Sequence, residues 1–309
     1  MLAVDDYHRA YLRRMLPAMD YYYDIYYYCC NLLAQRMGKD VAHATLVDYG
    51  GGHGLLSVVA KQLGWHQVVY IDIDTQAVTT ASALADAVGL GPDVMLTGDS
   101  ETLKRWMLEQ GENPDAVAGM DVIEHVYCLD DLFCNLLTLP HAAPQLVFTT
   151  ASNPYNRLLC HKLRRCMRDD ETGTAEQPNF FTLRYDYIRS CFPEMTHKEA
   201  SRWATQTRGL IYEDIRRAVE HDSPNLLADP YNTCDPRTGS WTERILPIAD
   251  YEALLQPYGY ELQVLSGWHN AHQGGIKGAM ARFLNRKQHL GYAPFIVLHA
   301  SPKTAVTSF

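Results

Sequence analysis

The segment Thr45-Leu-Val-Asp48-Tyr-Gly50-Gly-Gly52-His-Gly54 decides how this chain folds. It is a short apolar run that ends in an acid and continues into glycines at alternate positions. A second apolar run, residues 68–72, ends in another acid, Asp72, which follows Gly52 by 20 residues. In a parallel α/β sheet, a glycine turn after the first strand lets the backbone approach a ligand, and an acid at the tip of the next strand reaches a ribose. The spacing therefore predicts a nucleoside-binding site.

The rest of the chain predicts a sheet around this site. Apolar runs alternate with helical patterns from residue 45 to about 150, which is typical of a parallel α/β sheet. The alternation resumes with a helix near 249–256 and strands near 261–266 and 295–299. We expect a helical N-terminal cap (1–40) broken near Pro17, a core (41–151 and 246–309) and an inserted lid or substrate-binding region (152–245).

Composition excludes several classes of function. The 309 residues carry a net charge of −9 and no extended basic cluster, so we expect no nucleic-acid partner. The eight cysteines show no C-x-x-C repeat, which favours reduced thiols. No apolar run approaches the roughly 18 residues of a membrane span, and the N-terminus lacks a signal-peptide pattern. We therefore expect a cytoplasmic protein without a membrane partner.

The glycine spacing distinguishes between possible nucleosides. A dinucleotide motif reads G-x-G-x-x-G, and here its third position falls on Leu55. The pattern D-x-G-x-G-x-G from Asp48 to Gly54 instead resembles motif I of class I S-adenosylmethionine-dependent methyltransferases. This resemblance implies a Rossmann-like, seven-stranded α/β core with an antiparallel last strand. It also implies S-adenosyl-L-methionine as cofactor and S-adenosyl-L-homocysteine as product.

The resemblance assigns cofactor contacts to the ends of the first two strands. Asp48 would lie near the methionyl end, and the loop glycines would let the backbone approach the cofactor: Gly50, Gly51, Gly52 and Gly54. Asp72 would accept hydrogen bonds from both ribose hydroxyls, and Ile73 would lie against the adenine. Asp74 competes with Asp72 for this role, but we expect Asp74 to cap the following helix.

Two further segments continue the resemblance. Asp99, followed by Ser100, occupies the position where family members accept from the adenine amino group, although Asp99 is also a plausible helix cap. Residues 118–126 resemble the strand-4 segment of ubiquinone-type O-methyltransferases, which places Met120 and Asp121 at the cofactor. In that segment His125 is a candidate general base, and the alternative is that Glu124 and His125 only hold the turn.

Polar and aromatic residues elsewhere are candidate acceptor contacts. Asn153 and Tyr155 follow the fifth strand in a segment that is equally compatible with a simple turn. The tyrosine cluster at 21–28 contributes Tyr22 and Tyr26, although simple packing also explains it. His269 lies in a loop after the penultimate strand, and with His272 it lacks a third ligand at a convincing spacing, so we expect no metal.

The sequence thus predicts an S-adenosylmethionine-dependent methyltransferase that acts on an oxygen or nitrogen of a small-molecule acceptor. Methyl transfer would be in line, and a homodimer is compatible with the sequence. Two other readings remain open. One is a non-catalytic S-adenosylmethionine-binding or scaffold protein, and the other is a nicotinamide-dependent oxidoreductase, against which Leu55 argues.

Overall fold

Seven strands form a single sheet in the computed structural model, which describes residues 5–174, 179–227 and 229–303. In chain order the strands are β1 Thr45–Tyr49, β2 Gln67–Asp72, β3 Val94–Thr97, β4 Ala116–Met120, β5 Gln145–Thr150, β6 Tyr260–Ser266 and β7 Ile296–Pro302. Their spatial order is β3-β2-β1-β4-β5-β7-β6. The sheet confirms the predicted strands, with ends that differ by up to three residues.

The direction of the last strand agrees with the expected architecture. Strands β1 to β5 pair in parallel, with Asp48 opposite Tyr70 in the register of β1 and β2. Strand β7 enters between β5 and β6 and is antiparallel to both, with Thr150 opposite Ile296. Every residue of β1 is buried, as expected for a central strand covered by helices on both faces. The carboxyl ends of β1, β2 and β4 therefore meet at one edge of the sheet.

Twelve α-helices lie in the described part of the chain. They are α1 Asp6–Met15, α2 Met19–Met37, α3 Leu55–Gln62, α4 Thr75–Val88, α5 Ser100–Gln110, α6 Leu129–Leu137, α7 Arg157–Thr172, α8 Phe180–Cys191, α9 His197–Gln206, α10 Tyr212–Glu220, α11 Ile248–Leu255 and α12 Gly275–Asn285. The first two are separated by a 3-10 turn that contains Pro17, as the sequence predicts. Helices α7, α8 and α12 were not predicted.

Local capping explains where several helices begin and end. The carboxylate of Asp74 accepts from the Gln76 N–H at the start of α4, and the side chain of Asp99 does the same for the first turn of α5. Gly89 and Gly111 follow the last residues of these two helices in left-handed conformation. Short-range sequence signals therefore determine the lengths of the helices that flank the site.

The chain divides into two compact units. The first comprises Met1–Ile123, Leu129–Thr150 and Tyr251–Phe309 and contains the sheet, whereas the second comprises Glu124–Cys128 and Ala151–Asp250. The larger part of the second unit is the insertion after β5, which contains α7 to α10. One of its apolar cores forms between α8, α9 and α10 and consists of Ile188, Ala200, Trp203, Ala204 and Ile215. Both units thus have apolar cores of their own.

Two features of the described residues bear on cellular context. No described helix is long and apolar enough to cross a membrane. No disulfide is present among the described residues, in line with the predicted reduced thiols.

Candidate cofactor site

The loop after β1 depends on glycine because of a close approach. Gly50 has φ +64°, and its N–H donates to Ile71 O at 2.8 Å, which holds the loop against β2. A Cβ at Gly50 would lie 2.3 Å from Cγ2 of Val122. Gly52 also has a positive φ, +53°, but a Cβ there would meet nothing within 4 Å. Gly50 is therefore required by both conformation and space, and Gly52 by conformation alone.

Asp72 joins the glycine loop to the next helix. Its Oδ2 accepts from the Gly52 N–H at 2.9 Å, and its Oδ1 accepts from the Asp74 N–H at 2.8 Å. Burial raises the pKa of Asp72, while these two backbone N–H groups oppose the shift. Tyr70, two residues earlier on β2, donates from its hydroxyl to Gly52 O at 2.7 Å. The carboxylate is thus held at the strand tip where a ribose is expected.

Asp48 is a buried carboxyl at the other side of the loop. It is 1% exposed, and its Oδ2 accepts from both the N–H and the hydroxyl of Ser57, at 3.1 and 2.6 Å. Burial raises the pKa of Asp48 to about 7, although the bonds from Ser57 oppose the shift. The group therefore changes its protonation near neutral pH and responds to any charge that binds beside it.

A cavity of about 270 Å³ opens beside this loop. Its lining comes from the N-terminal helices, from the loop and from the ends of β1, β2 and β4, and includes Tyr11, Tyr22, Tyr26, Asp48, Gly50, Gly51, Gly52, His53, Asp72, Asp74, Met120 and Asp121. Most of the residues predicted to contact the cofactor thus surround one space. Tyr22 and Tyr26, predicted as acceptor contacts, line that same space.

The tyrosine cluster divides between the cavity and the surface. Tyr22 and Tyr26 lie four residues apart on α2 and stack at 6.5 Å, whereas Tyr23 and Tyr27 are exposed. Burial raises the pKa of both cavity tyrosines, and the nearby Asp121 carboxylate adds to the shift. The rings that face the cavity are therefore neutral phenols at physiological pH.

Two histidines, His8 and His53, line the cavity. The ring of His53 stacks on Tyr11 at 4.7 Å, and its Nε2 is buried without a hydrogen-bond partner among the described residues. Burial and the neighbouring His8 lower the pKa of His53 to about 4. His8 is within reach of Asp5 and Asp74, at 2.9 and 3.4 Å. His53 is therefore neutral near pH 7 and adds no positive charge to the cavity.

Asp121 adopts a strained conformation at the end of β4. It has φ +50°, and its N–H donates to the carbonyl and the hydroxyl of Thr149, at 3.1 Å each. Left-handed backbone at a residue other than glycine is uncommon and is often found at functional sites. This conformation is compatible with the predicted cofactor contact of Asp121, which stays a prediction.

Several predicted contacts lie outside the cavity lining. Ile73 is 76% exposed, Gly54 is the N-cap of α3, and Ser100 is buried and accepts from the Asn135 amide at 3.1 Å. The Asp99 carboxylate accepts from Glu101 and Thr102 N–H groups at the start of α5. The capping role of Asp99 is therefore visible, and its adenine contact stays a prediction.

The remaining acceptor candidates have structural contacts of their own. The side-chain oxygen of Asn153 accepts from the Tyr155 N–H at 3.0 Å, a turn geometry, and Tyr155 is 45% exposed. Both residues belong to the second unit. His269, in the first unit, has its Nε2 2.8 Å from Tyr292 O. Their acceptor roles stay predictions.

His125 belongs to a cluster that the sequence did not indicate. Its Nδ1 lies 2.7 Å from Trp241 O, and because a carbonyl only accepts, Nδ1 is the donor in this bond. Ligand atoms of Glu124, His125 and Glu243 lie within 4.8 Å of one another in the second unit. Glu243 is distant in sequence, so no spacing pattern could connect it with the other two.

The sheet order, the reversed β7 and the glycine loop after β1 define the fold class. Together they match the Rossmann-like, seven-stranded α/β core with an antiparallel last strand that the resemblance to class I S-adenosylmethionine-dependent methyltransferases implies, and this fold prediction is confirmed.

Comparison with known proteins finds sequence similarity in one part of the chain. The family model described as ribosomal protein L11 methyltransferase (PrmA) matches residues 27–106. A ribosomal protein L11 methyltransferase from Aeromonas hydrophila is 39% identical over 59 residues, which are 19% of this chain and 20% of that protein. The chain thus matches about a fifth of the length of such curated relatives.

Solved structures resemble the chain over a greater length but at low identity. An S-adenosylmethionine dependent methyltransferase from Mesorhizobium loti is 13% identical, with a TM-score of 0.44 over 86% of this chain and 94% of that one. Magnesium protoporphyrin IX methyltransferase from Synechocystis, solved with bound S-adenosylhomocysteine, is 14% identical. Its TM-score is 0.43 over 91% of this chain and 84% of that one.

Proposed function

We propose that this chain is a methyltransferase that binds S-adenosylmethionine and methylates an oxygen or nitrogen of a small-molecule acceptor. The observation that carries the proposal is the charge of the cavity beside the glycine loop. Four carboxyl side chains line this cavity: Asp48, Asp72, Asp74 and Asp121. No Lys or Arg is found among its described lining residues. A cationic sulfonium is attracted to such a lining, whereas the pyrophosphate of a dinucleotide is repelled.

The residues of the cavity fit the parts of this cofactor. Asp72 has two carboxylate oxygens at the strand tip and would accept from the ribose hydroxyls. The bare backbone at Gly52, where a Cβ would meet nothing within 4 Å, leaves space for the methionyl part, and the Asp48 carboxyl lines the same cavity. S-Adenosylmethionine supplies a methyl group activated by its attachment to a positively charged sulfur.

The contribution of the protein is alignment and exclusion of water. The neutral side chains of Tyr11, Tyr22 and Tyr26 form a wall of the cavity from the N-terminal helices. An aromatic wall reduces the water around a reaction in which positive charge is lost. His125, whose Nδ1 donates to Trp241 O, is the candidate base for a hydroxyl or amine acceptor.

The residues that indicate the cofactor do not indicate the identity of the acceptor. The family match ends at residue 106, before the whole of the second unit, so it supports the cofactor half and leaves the acceptor open. The net charge of −9 favours a small molecule over ribosomal RNA or its assemblies. We therefore keep a small O- or N-acceptor as the proposal, and a protein acceptor is the alternative that the relatives' name suggests.

Calorimetric titration of the full chain with S-adenosylmethionine, S-adenosylhomocysteine and NADH tests the cofactor. We expect binding of the two adenosyl ligands only, and its loss in Asp72→Ala. A preference for NADH would overturn the proposal. A methyl-transfer assay against metabolites and against ribosomal proteins then tests the acceptor. Tight adenosyl binding without transfer to any acceptor would favour a non-catalytic binding protein.

A further inference from the structure

Helix α12 exposes an apolar face. Ile276, Met280 and Phe283 are 84%, 60% and 60% exposed, while Gly278 and Ala281 of the same helix are buried. Spacings of four and three residues put the three large side chains on one side of the helix, opposite its buried side. We call these three residues the α12 stripe. Its side chains are presented to solvent by a helix that already packs through its small residues.

The α12 stripe lies in a basic segment of an acidic chain. Residues 262–303 contain five Lys and Arg and no Asp or Glu, whereas the whole chain carries −9. Four of these cations accompany the stripe: Lys277, Arg282, Arg286 and Lys287. None of the four forms an ion pair with a carboxylate among the described residues, and Lys287 Nζ lies 5.7 Å from the centre of the Phe283 ring. Their charge is thus available to an external anion.

We propose that α12 is an interfacial helix that docks on an anionic lipid surface. An exposed apolar stripe accompanied by Lys and Arg is the arrangement that inserts side chains at the boundary of headgroups and acyl chains while cations meet lipid phosphates. A second copy of this chain fits less well. In a two-fold symmetric contact the same four cations would face one another with no acid on the segment to pair with them. This inference does not depend on the proposed methyltransferase activity.

A surface-bound helix differs from the membrane span that the sequence excludes. No described helix crosses a membrane, and α12, with 11 residues, is too short to do so. The expectation of no membrane partner considered only spanning segments and did not include this helix. Binding parallel to the surface needs only the stripe and its cations.

Co-sedimentation of the full chain with vesicles tests the proposal. We compare phosphatidylcholine alone with phosphatidylcholine that contains phosphatidylserine, at low and high salt. We expect binding to the anionic vesicles, weaker binding to neutral ones and release by salt, because surface charges are screened. Absence of binding to the anionic vesicles would overturn the proposal.

Variants separate the two contributions. A triple variant that removes positive charge, Lys277→Gln with Arg286→Gln and Lys287→Gln, is expected to weaken vesicle binding roughly 100-fold. A double variant that removes apolar surface, Ile276→Ser with Phe283→Ser, is expected to weaken it about tenfold or more. Leu226→Ser is the matched control, since Leu226 is 90% exposed in the second unit and should leave binding unchanged. Unchanged binding in both α12 variants, or a self-association in solution that the same variants abolish, would overturn the lipid assignment.

Discussion

The Asp72 carboxylate accepts a hydrogen bond at 2.9 Å from the backbone N–H of Gly52, a residue 20 positions earlier in the chain. This bond connects the glycine loop to the tip of β2, the two features from which the sequence predicts a nucleoside site. The acid therefore has two functions in the proposal, since it shapes the loop and offers its remaining lone pairs to a ribose. Several of the expected effects of substitution follow from this double role.

Replacing Asp72 by asparagine should weaken cofactor binding more than the loss of one charge implies. Both carboxylate oxygens accept from backbone N–H groups, so the amide of Asp72→Asn would place a donor against a donor. We expect S-adenosylhomocysteine affinity to fall roughly 10- to 100-fold, the effect of losing hydrogen bonds to a charged group. Calorimetric titration measures it.

Asp74→Asn is the matched comparison, because it also removes one carboxylate from the cavity lining while asparagine caps a helix about as well as aspartate. Asp74 bonds the Gln76 N–H at the start of α4, and that bond survives the change. An equal loss of affinity in the two variants would contradict the assignment of the ribose contact to Asp72.

Alanine substitutions at Gly50 and Gly52 should distinguish the stability lost through a steric clash from the stability lost through a left-handed backbone conformation. Gly50→Ala combines φ +64° with a Cβ 2.3 Å from Val122, so we expect a large fall in melting temperature and loss of cofactor binding. Gly52→Ala meets no neighbour and should cost only the left-handed conformation, about 1–2 kcal/mol. Thermal unfolding of both variants measures the difference.

A compensating substitution checks the steric part. Val122→Ala removes the side-chain atom that the new Cβ would meet, so it should partly restore the stability of Gly50→Ala. If the double variant is no more stable than Gly50→Ala, the close approach to Val122 is not the reason for glycine at this position.

Asp48 should make cofactor affinity depend on pH near neutrality. Burial raises the pKa of this carboxyl to about 7, so it is largely protonated below that pH in the free protein. A cationic ligand favours the carboxylate, and the affinity for S-adenosylmethionine should rise with pH up to about 7, by at most about tenfold per pH unit. Asp48→Asn should remove this dependence, and titrations across the pH range measure it.

The raised pKa of Asp48 also predicts how the free energy of unfolding depends on pH. The folded protein retains a proton on Asp48 between pH about 4 and about 7 that the unfolded chain releases, so this group's contribution to the free energy of unfolding falls as pH rises through that window. Urea unfolding of the ligand-free protein should show a smaller fall in Asp48→Asn than in the unmodified chain. An identical profile would contradict the raised pKa.

Stability of the second unit should depend on a buried ion network. Glu171 and Arg184 are 4% and 0% exposed and pair with each other, and Glu171 also bonds Arg208 and Thr233. Burial raises the pKa of Glu171, but its guanidinium and hydroxyl partners outweigh this and lower the pKa overall. Glu171→Gln leaves Arg184 without its anion and should destabilise the unit by about 3–5 kcal/mol.

Glu213→Gln is the control for this network, because Glu213 is 70% exposed and pairs with Arg217 on the surface of α10. Such a pair contributes about 0–1 kcal/mol. Limited proteolysis and thermal unfolding should therefore distinguish the two variants. Equal stability of both would show that the Glu171 network does not hold this unit together.

Much of the cofactor half was predictable from local pattern. Apolar runs of strand length, acids at their tips and glycines at fixed spacing predict β1, β2 and the loop between them, because each signal acts over a few residues. The caps at Asp74 and Asp99 belong to the same category, since a side chain there bonds N–H groups two or three positions later.

Other features of the protein exist only because distant segments meet. Three features join residues far apart in sequence. They are the position of β7 between β5 and β6, the cluster of Glu124, His125 and Glu243, and the cavity wall from α1 and α2. Helix α12 was missed because Gly275 and Gly278 lower its helix propensity, and tertiary packing of Gly278 and Ala281 overrides that preference. The sequence by itself thus determined the strands of the sheet, the helices between β1 and β5 and the chemistry at the strand ends. The tertiary structure alone decided which ends share a cavity and which helical face meets solvent, because contacts between distant residues depend on packing and leave no periodic pattern in the chain.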